Sequence, residues 1–215
     1  MANFDVNRWH QITIPDNPKT ASMMAGGFVF NKATSGLVMF FPTETSNKLQ
    51  QWQIFRYNST FYVLRTEGSG SLGYSGVQFD KEEETPGKTI PVTRNVSVSD
   101  DSMFWRIGPW GDGTFWLSNG ANGSEWRLTV KVPFTGVAMS SNITAPQDGQ
   151  RFSFEQSDPI DDVAYSSVIV SPRQHVEFGI FDPAELTCET RRQLLYYPRP
   201  PQRSLLLELL ALPWP

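Results

Sequence analysis

The chain is 215 residues long, 39% hydrophobic and 19% charged, which suits one good-sized folded domain with a remainder and is too little for two full ones. Its 18 Lys and Arg against 22 Asp and Glu give a formal charge of −4, which leaves a phosphate backbone little to hold and argues against a nucleic-acid partner. One cysteine, Cys188, and two histidines, His10 and His175, exclude an intramolecular disulfide, argue against a Cys-based zinc site and leave almost no material for His-assisted catalysis.

In chain order, the opening MANFDVNRWHQITIPDN has neither the basic start nor the apolar run of a signal peptide, so a cytoplasmic location is the default expectation. From there to about residue 156, short apolar runs alternate with clusters of Gly, Ser, Thr, Asn and Asp. WHQITI, GFVF, LVMFF, WQIFRY, FYVLRT, FWRIG, TFWLS, WRLTV, GVAMS and RFSFE have the length and content of strands. None sustains a 3.6-residue period. After residue 165 prolines become dense and leucine replaces the aromatics. Residues 157–215 are expected to be an extension, poorly ordered or with one or two short helices. There DPAELTCETRRQLLYYP offers Asp182 as a cap, Pro183 at the first helical position and a stop at Pro198. The run Leu205 to Leu212 is too short to cross a bilayer and is interrupted by Glu208.

Three segments repeat one pattern, in which an aromatic opens a strand two residues after a polar or flexible one. They are Gln50-Gln51-Trp52-Gln53-Ile54, Met103-Phe104-Trp105-Arg106-Ile107 and Gln150-Arg151-Phe152-Ser153-Phe154. With Trp9 in RWHQITI taken as a related strand, the steps are about 43, 53 and 47 residues, as for a four-stranded repeat unit. Three such units predict twelve strands and a closed antiparallel barrel with hairpins capping one end. Trp52, Trp105 and Phe152 would fill its core.

These segments resemble the Gln-x-Trp repeats of the ricin B-chain-like β-trefoil lectins, and the W-x-I then Y-x-L-R pattern resembles fungal members of that group. The resemblance covers about residues 7–156. Met103 stands for the glutamine in the second copy and Phe152 for the tryptophan in the third. It implies an all-β, β-trefoil domain at 7–156 that binds carbohydrate without catalysis. The family's sugar-binding aspartate lies in a C-L-D-V-like strand. Matched to Gly36-Leu37-Val38-Met39, Ser71-Leu72-Gly73-Tyr74 and Arg127-Leu128-Thr129-Val130, its place is taken by Val38, Gly73 and Thr129. No carboxylate is left for two vicinal hydroxyls, so the inherited galactose-type sites are expected to be lost.

The third repeat holds material for a different site. WGDGTFWLSNGANGSEW sets Trp110, Trp116 and Trp126 among Asp112, Asn119, Asn122 and Glu125. An indole face suits sugar C–H groups, and short amides and carboxylates supply directional hydrogen bonds. Trp110, Asp112, Trp116, Asn119 and Asn122 are the candidate carbohydrate-binding residues. Trp110, two residues before the Asp112-Gly113 hairpin signal, is expected to be exposed, whereas Trp116 and Trp126 also fit a core role.

Other signals point elsewhere. Gly68-Ser69-Gly70-Ser71-Leu72-Gly73 matches a nucleotide-binding glycine pattern but leads into Tyr74-Ser75-Gly76-Val77, which is no helix. KEEET at 81–85 lacks calcium-loop spacing. Asp158, Asp161 and Asp162 read as a polar exit from the barrel. Sequons at Asn58, Asn95, Asn122 and Asn142 hint at a secreted or cell-surface relative. No cofactor, metal or catalytic group is expected. The expected partner is a glycan or glycoprotein. A protein-interaction or inhibitor trefoil, using its loops or tail, is the alternative.

Overall fold

The structure, a computed structural model, describes residues 3–15, 22–26, 35–80, 85–96, 99–131, 136–145, 147 and 149–168, with the backbone alone at 22 and 23. GFVF, most of KEEET and the helical readings of the tail lie outside the described residues. Twelve strands occur among those residues. They are β1 (Arg8–Thr13), β2 (Ser22–Gly26), β3 (Ser35–Pro42), β4 (Trp52–Arg56), β5 (Tyr62–Thr66), β6 (Gly73–Phe79), β7 (Thr89–Asn95), β8 (Trp105–Pro109), β9 (Phe115–Asn119), β10 (Arg127–Val130), β11 (Val137–Ser140) and β12 (Ser153–Pro159).

Pairing divides them into three lobes of four. The antiparallel ring β12–β1–β4–β5–β8–β9 is closed by a bridge between Phe115 and Phe152, and β2–β3, β6–β7 and β10–β11 form three hairpins. The register repeats with the lobes: His10 faces Trp52, Tyr62 faces Trp105 and Phe115 faces Phe152. One layer further in, Ile54 faces Leu64, Ile107 faces Leu117 and Phe154 faces Ile12. Six barrel strands and three hairpins related in this way are a β-trefoil.

Trp52, Trp105 and Phe152 are buried to 2% exposure or less, in one apolar cluster with Ile12, Leu64 and Leu117. A buried indole N–H needs an acceptor: Trp52 Nε1 donates to the Met24 carbonyl (2.7 Å) and Trp105 Nε1 to that of Ser75 (3.0 Å). Phe152 has no such need. The glutamines two residues earlier lock the turn before the strand. Gln50 Nε2 donates to the Pro42 carbonyl (2.9 Å) and Gln150 Nε2 to that of Asn142 (3.0 Å), each eight residues back. Met103 cannot do this and packs instead with Val63, Tyr74 and Val96.

Two sequence alignments need correction. Trp9 sits on β1, the first strand of its lobe, whereas Trp52, Trp105 and Phe152 lie at the start of the fourth strands. Its likeness to them was one of composition. Val38 lies on β3, the third strand, while Gly73 and Thr129 lie on second strands. The matching strand in the first lobe is β2, Ser-Met-Met-Ala-Gly, which also carries no carboxylate.

His10 is 2% exposed and packs edge-on against Phe4 at 5.6 Å. Burial pushes its pKa below the ordinary 6.5, against smaller opposing effects of the Trp52 backbone and Asp5. A neutral buried imidazole contributes stability that is complete above the unfolded pKa and is lost as pH falls below about 6.5. The melting temperature should therefore fall between about pH 7 and pH 5. His10→Phe, the residue type at the equivalent Phe115, should reduce that fall, and an unchanged profile in the variant would exclude His10 as its source.

β12 runs on to Pro159, and residues 162–168 stay bound to the barrel through Arg65. This arginine is 1% exposed. It donates to Gln53 Oε1 (2.6 Å) and to the carbonyls of Ser71 (2.6 Å), Tyr165 (2.7 Å) and Ser167 (2.9 Å). The Tyr165 ring lies 4.7 Å from its guanidinium carbon.

Candidate functional site

The β8–β9 turn, which opens the third lobe, is built on glycine. Gly111 and Gly113 take φ of +94° and +89°, a region costly for other residues. Asp112 between them accepts from the Thr114 amide (2.9 Å) and hydroxyl (2.5 Å), and its carboxylate meets Arg151 Nε at 3.5 Å. These bonds, the Thr114 hydroxyl first, hold its carboxyl below the usual range. Trp110 is half-buried rather than fully exposed, because its indole N–H donates to the Gln150 carbonyl (3.0 Å).

Trp116 follows from strand alternation. Phe115 packs inward against Phe4 and Phe154, so Trp116 points outward. The bridge register at Phe115 and Phe152 sets Arg151 opposite it. The indole packs over Gly108, where a Cβ would come within 2.2 Å of its Cζ2. The Arg127 guanidinium carbon lies over the ring at 4.0 Å from its centroid, within cation–π range. Arg127 also donates to the Ser124 carbonyl.

The two asparagines are placed differently. Asn119 is fully buried, donating to the Ser102 carbonyl (2.6 Å) and accepting from the Ala121 amide (3.0 Å). Asn122 is 3% exposed, and its Oδ1 accepts from the Gly87 amide (2.7 Å) and the Thr89 hydroxyl (3.0 Å). Trp126 packs against Gly87. These amides frame the lobe, and Asn122 is the one sequon of the four whose asparagine is buried. The structure thus gathers Trp110, Asp112 and Trp116 with Arg127 and Arg151 on one outer face. Neither arginine was picked out as a candidate from the sequence. Their alternation with Leu128 and Phe152 is the period-two signal that marks outward positions.

Two concave regions lie elsewhere. A cleft of about 390 Å³ is lined by Trp9, Lys48, Glu67, Asp161, Asp162 and Tyr165, with Lys48 and Glu67 paired at 2.7 Å. Asp162 there caps the 3-10 turn Val163–Tyr165 through the Ala164 amide (2.8 Å). An apolar groove of about 420 Å³ is lined by Leu37, Met39, Phe41, Gln78, Ile90 and Val92. The glycine-rich stretch 68–73 is a turn leading into strand β6, so no helix N-terminus meets a pyrophosphate there. Among the described residues no three His, Cys, Asp or Glu side chains converge, and no helix is long and apolar enough to cross a membrane.

Comparison with known proteins agrees with the fold. No family model matches the sequence, and no curated protein matches it. Among solved structures, the chain is similar to ThreeFoil, a designed three-fold symmetric protein, at 16% identity and a TM-score of 0.53 over 68% of this chain and 96% of that one. It is similar to the Polyporus squamosus lectin bound to a human-type influenza-binding epitope at 17% identity and a TM-score of 0.52, over 72% of this chain and 50% of the lectin. An exo-β-1,3-galactanase from Clostridium thermocellum matches at 14% identity and a TM-score of 0.54, over 72% of this chain and 31% of the enzyme. The chain therefore spans half of that lectin and under a third of that enzyme. At these identities the likeness defines a β-trefoil fold and nothing more, and function has to be argued from the site.

Proposed function

We propose that the chain is a non-catalytic carbohydrate-binding module, related to the ricin B-chain-like lectins, whose site is the outer face of the third lobe. The observation that carries this reading is the Trp116 indole, held on Gly108 beneath the Arg127 guanidinium with Trp110 and Asp112 nearby. With Gly108 and Arg127 packed against the ring, a sugar would meet the edge of this stack and the half-buried Trp110, where Asp112 and the arginines offer hydrogen bonds to hydroxyls. The aspartate-based family sites are lost in this reading, since β2, β6 and β10 carry no carboxylate.

A glycan array followed by titration tests it. The wild type should bind at least one glycan, and Trp116→Ala should weaken that binding roughly 30-fold, the equivalent of about 2 kcal/mol for an aromatic anchor. Binding that survives both Trp110→Ala and Trp116→Ala would remove this face from consideration. A protein-interaction role is the second reading, favoured by the partly exposed Leu37, Phe41 and Ile90 of the apolar groove. Failure to bind any glycan, together with a specific protein recovered on the wild type and lost on Leu37→Asp, would favour it.

A further inference from the structure

The β4–β5 and β8–β9 turns are closed by the same hydrogen bond, from the Tyr57 amide to the Phe61 carbonyl and from the Trp110 amide to the Thr114 carbonyl, each 2.9 Å. Tyr57 is therefore the lobe equivalent of Trp110, and it is the more open of the two, at 38% exposure. Its ring stacks on Phe104, with centroids 4.8 Å apart and planes 23° from parallel. One ring face is thereby taken, and the exposure belongs to the rest of the ring. Asn58 Oδ1 fixes the turn by accepting from the Thr60 and Phe61 amides, each 2.8 Å. A platform held in this way has little freedom left to lose on binding.

Strand β8 connects this platform to the third-lobe site. Trp105 and Ile107 point into the core, so alternation turns Arg106 and Gly108 outward. Phe104 precedes them in extended backbone, with φ of −94° and ψ of 128°. Each of these positions carries a ring on its outer side. Phe104 carries Tyr57, Arg106 lies on the Phe61 ring at 4.6 Å from its centroid, and Gly108 carries Trp116. Phe61 is itself 5.8 Å from Phe104. From Phe104 to Trp110 the extended chain spans about 20 Å. One terminal sugar covers a single ring, whereas a strip of this length suits several linked units whose C–H faces meet the rings at its two ends.

We propose that the glycan site is elongated: it runs along β8 from Trp110, past the edge of Trp116, to Tyr57, and takes a linear, unbranched oligosaccharide rather than a single terminal sugar. Tyr57 is the second stacking platform, at the far end from Trp110. This rests on the carbohydrate reading above and sets the shape of its ligand.

Titration calorimetry on the full chain with two length series tests it: the β-1,4-linked dimer and tetramer of N-acetylglucosamine, and cellobiose with cellotetraose. In at least one series the tetramer should bind about tenfold more tightly than the dimer, the scale of one added aromatic contact. Tyr57→Ala should bring the tetramer down to about the affinity of the dimer. Tyr57→Leu keeps Phe104 covered but offers no flat ring, so it should do the same, and it decides should Tyr57→Ala unfold. Equal affinities of dimer and tetramer in the wild type, or a gain with length that survives Tyr57→Leu, overturn the proposal. If the dimers bind and lose affinity in Trp110→Ala with no gain with length, only the elongation fails. If neither series binds, the proposal fails, and a blank glycan array in addition takes the carbohydrate reading with it.

Discussion

Replacing Arg65 by alanine is expected to destabilise the domain by about 3–5 kcal/mol, the range for stripping one side of a buried charge network. The change removes a guanidinium and leaves the Gln53 amide oxygen and the carbonyls of Ser71 and Ser167 without this donor, while the Tyr165 carbonyl keeps only its bond from Gln53 Nε2 (2.9 Å). Each buried acceptor so abandoned costs about 1–3 kcal/mol before relaxation. For a domain of this size the melting temperature should drop by roughly 10–15 °C. A second readout separates the clamp from general loosening. The amides of Tyr165 and Ser166, bonded to the Asp162 and Val163 carbonyls, should lose hydrogen-exchange protection before those of β4 and β5 do. Arg65→Lys should recover little, since a single ammonium cannot reach four acceptors spread around a planar fork. A melting temperature within about 2 °C of wild type in Arg65→Ala would show that the segment after β12 is held by something else.

Gly108→Ala should impair glycan binding without removing any candidate ligand-binding side chain. The added Cβ would lie 2.2 Å from Trp116 Cζ2 and 2.5 Å from Cε2, far inside van der Waals contact, so the indole must tilt off β8 and take the Arg127 guanidinium with it. Overpacking of this kind costs about 1–3 kcal/mol in stability. Gly108 lies within β8 and is not among the glycines of positive φ, so alanine brings no backbone strain of its own. Affinity should fall at least tenfold, approaching the loss in Trp116→Ala. Wild-type affinity in Gly108→Ala would mean that the seating of the indole on β8 is irrelevant to the ligand.

The barrel was readable in the sequence because its period is covalent. The segments around Trp52, Trp105 and Phe152 recur at the spacing of a four-stranded unit, and those three rings form the core the spacing demanded. The capping strands were harder. β2, β6 and β7, with sequences SMMAG, GYSGVQF and TIPVTRN, contain glycine, proline or several polar residues and gain their strand character only from a hairpin partner. The site was half legible. Asp112-Gly113 announced the hairpin turn and Trp116 the outward aromatic, but Asn119 and Asn122, which look like sugar ligands in a list of residue types, are consumed as caps and cross-lobe braces. Arg65, Arg106 and Ser118 read alike as polar residues within strands. Only the register shows that the first is ringed by acceptors and the second faces a serine across the seam.

Amide chemical-shift mapping of the labelled full chain during titration with a bound saccharide tests the location of the site most directly. Perturbations should cluster on residues 106–108, 110–118, 127 and 151, around the Trp116 indole. Shifts centred instead on the cleft at Trp9 and Tyr165, or on the groove at Leu37 and Ile90, would contradict a third-lobe site.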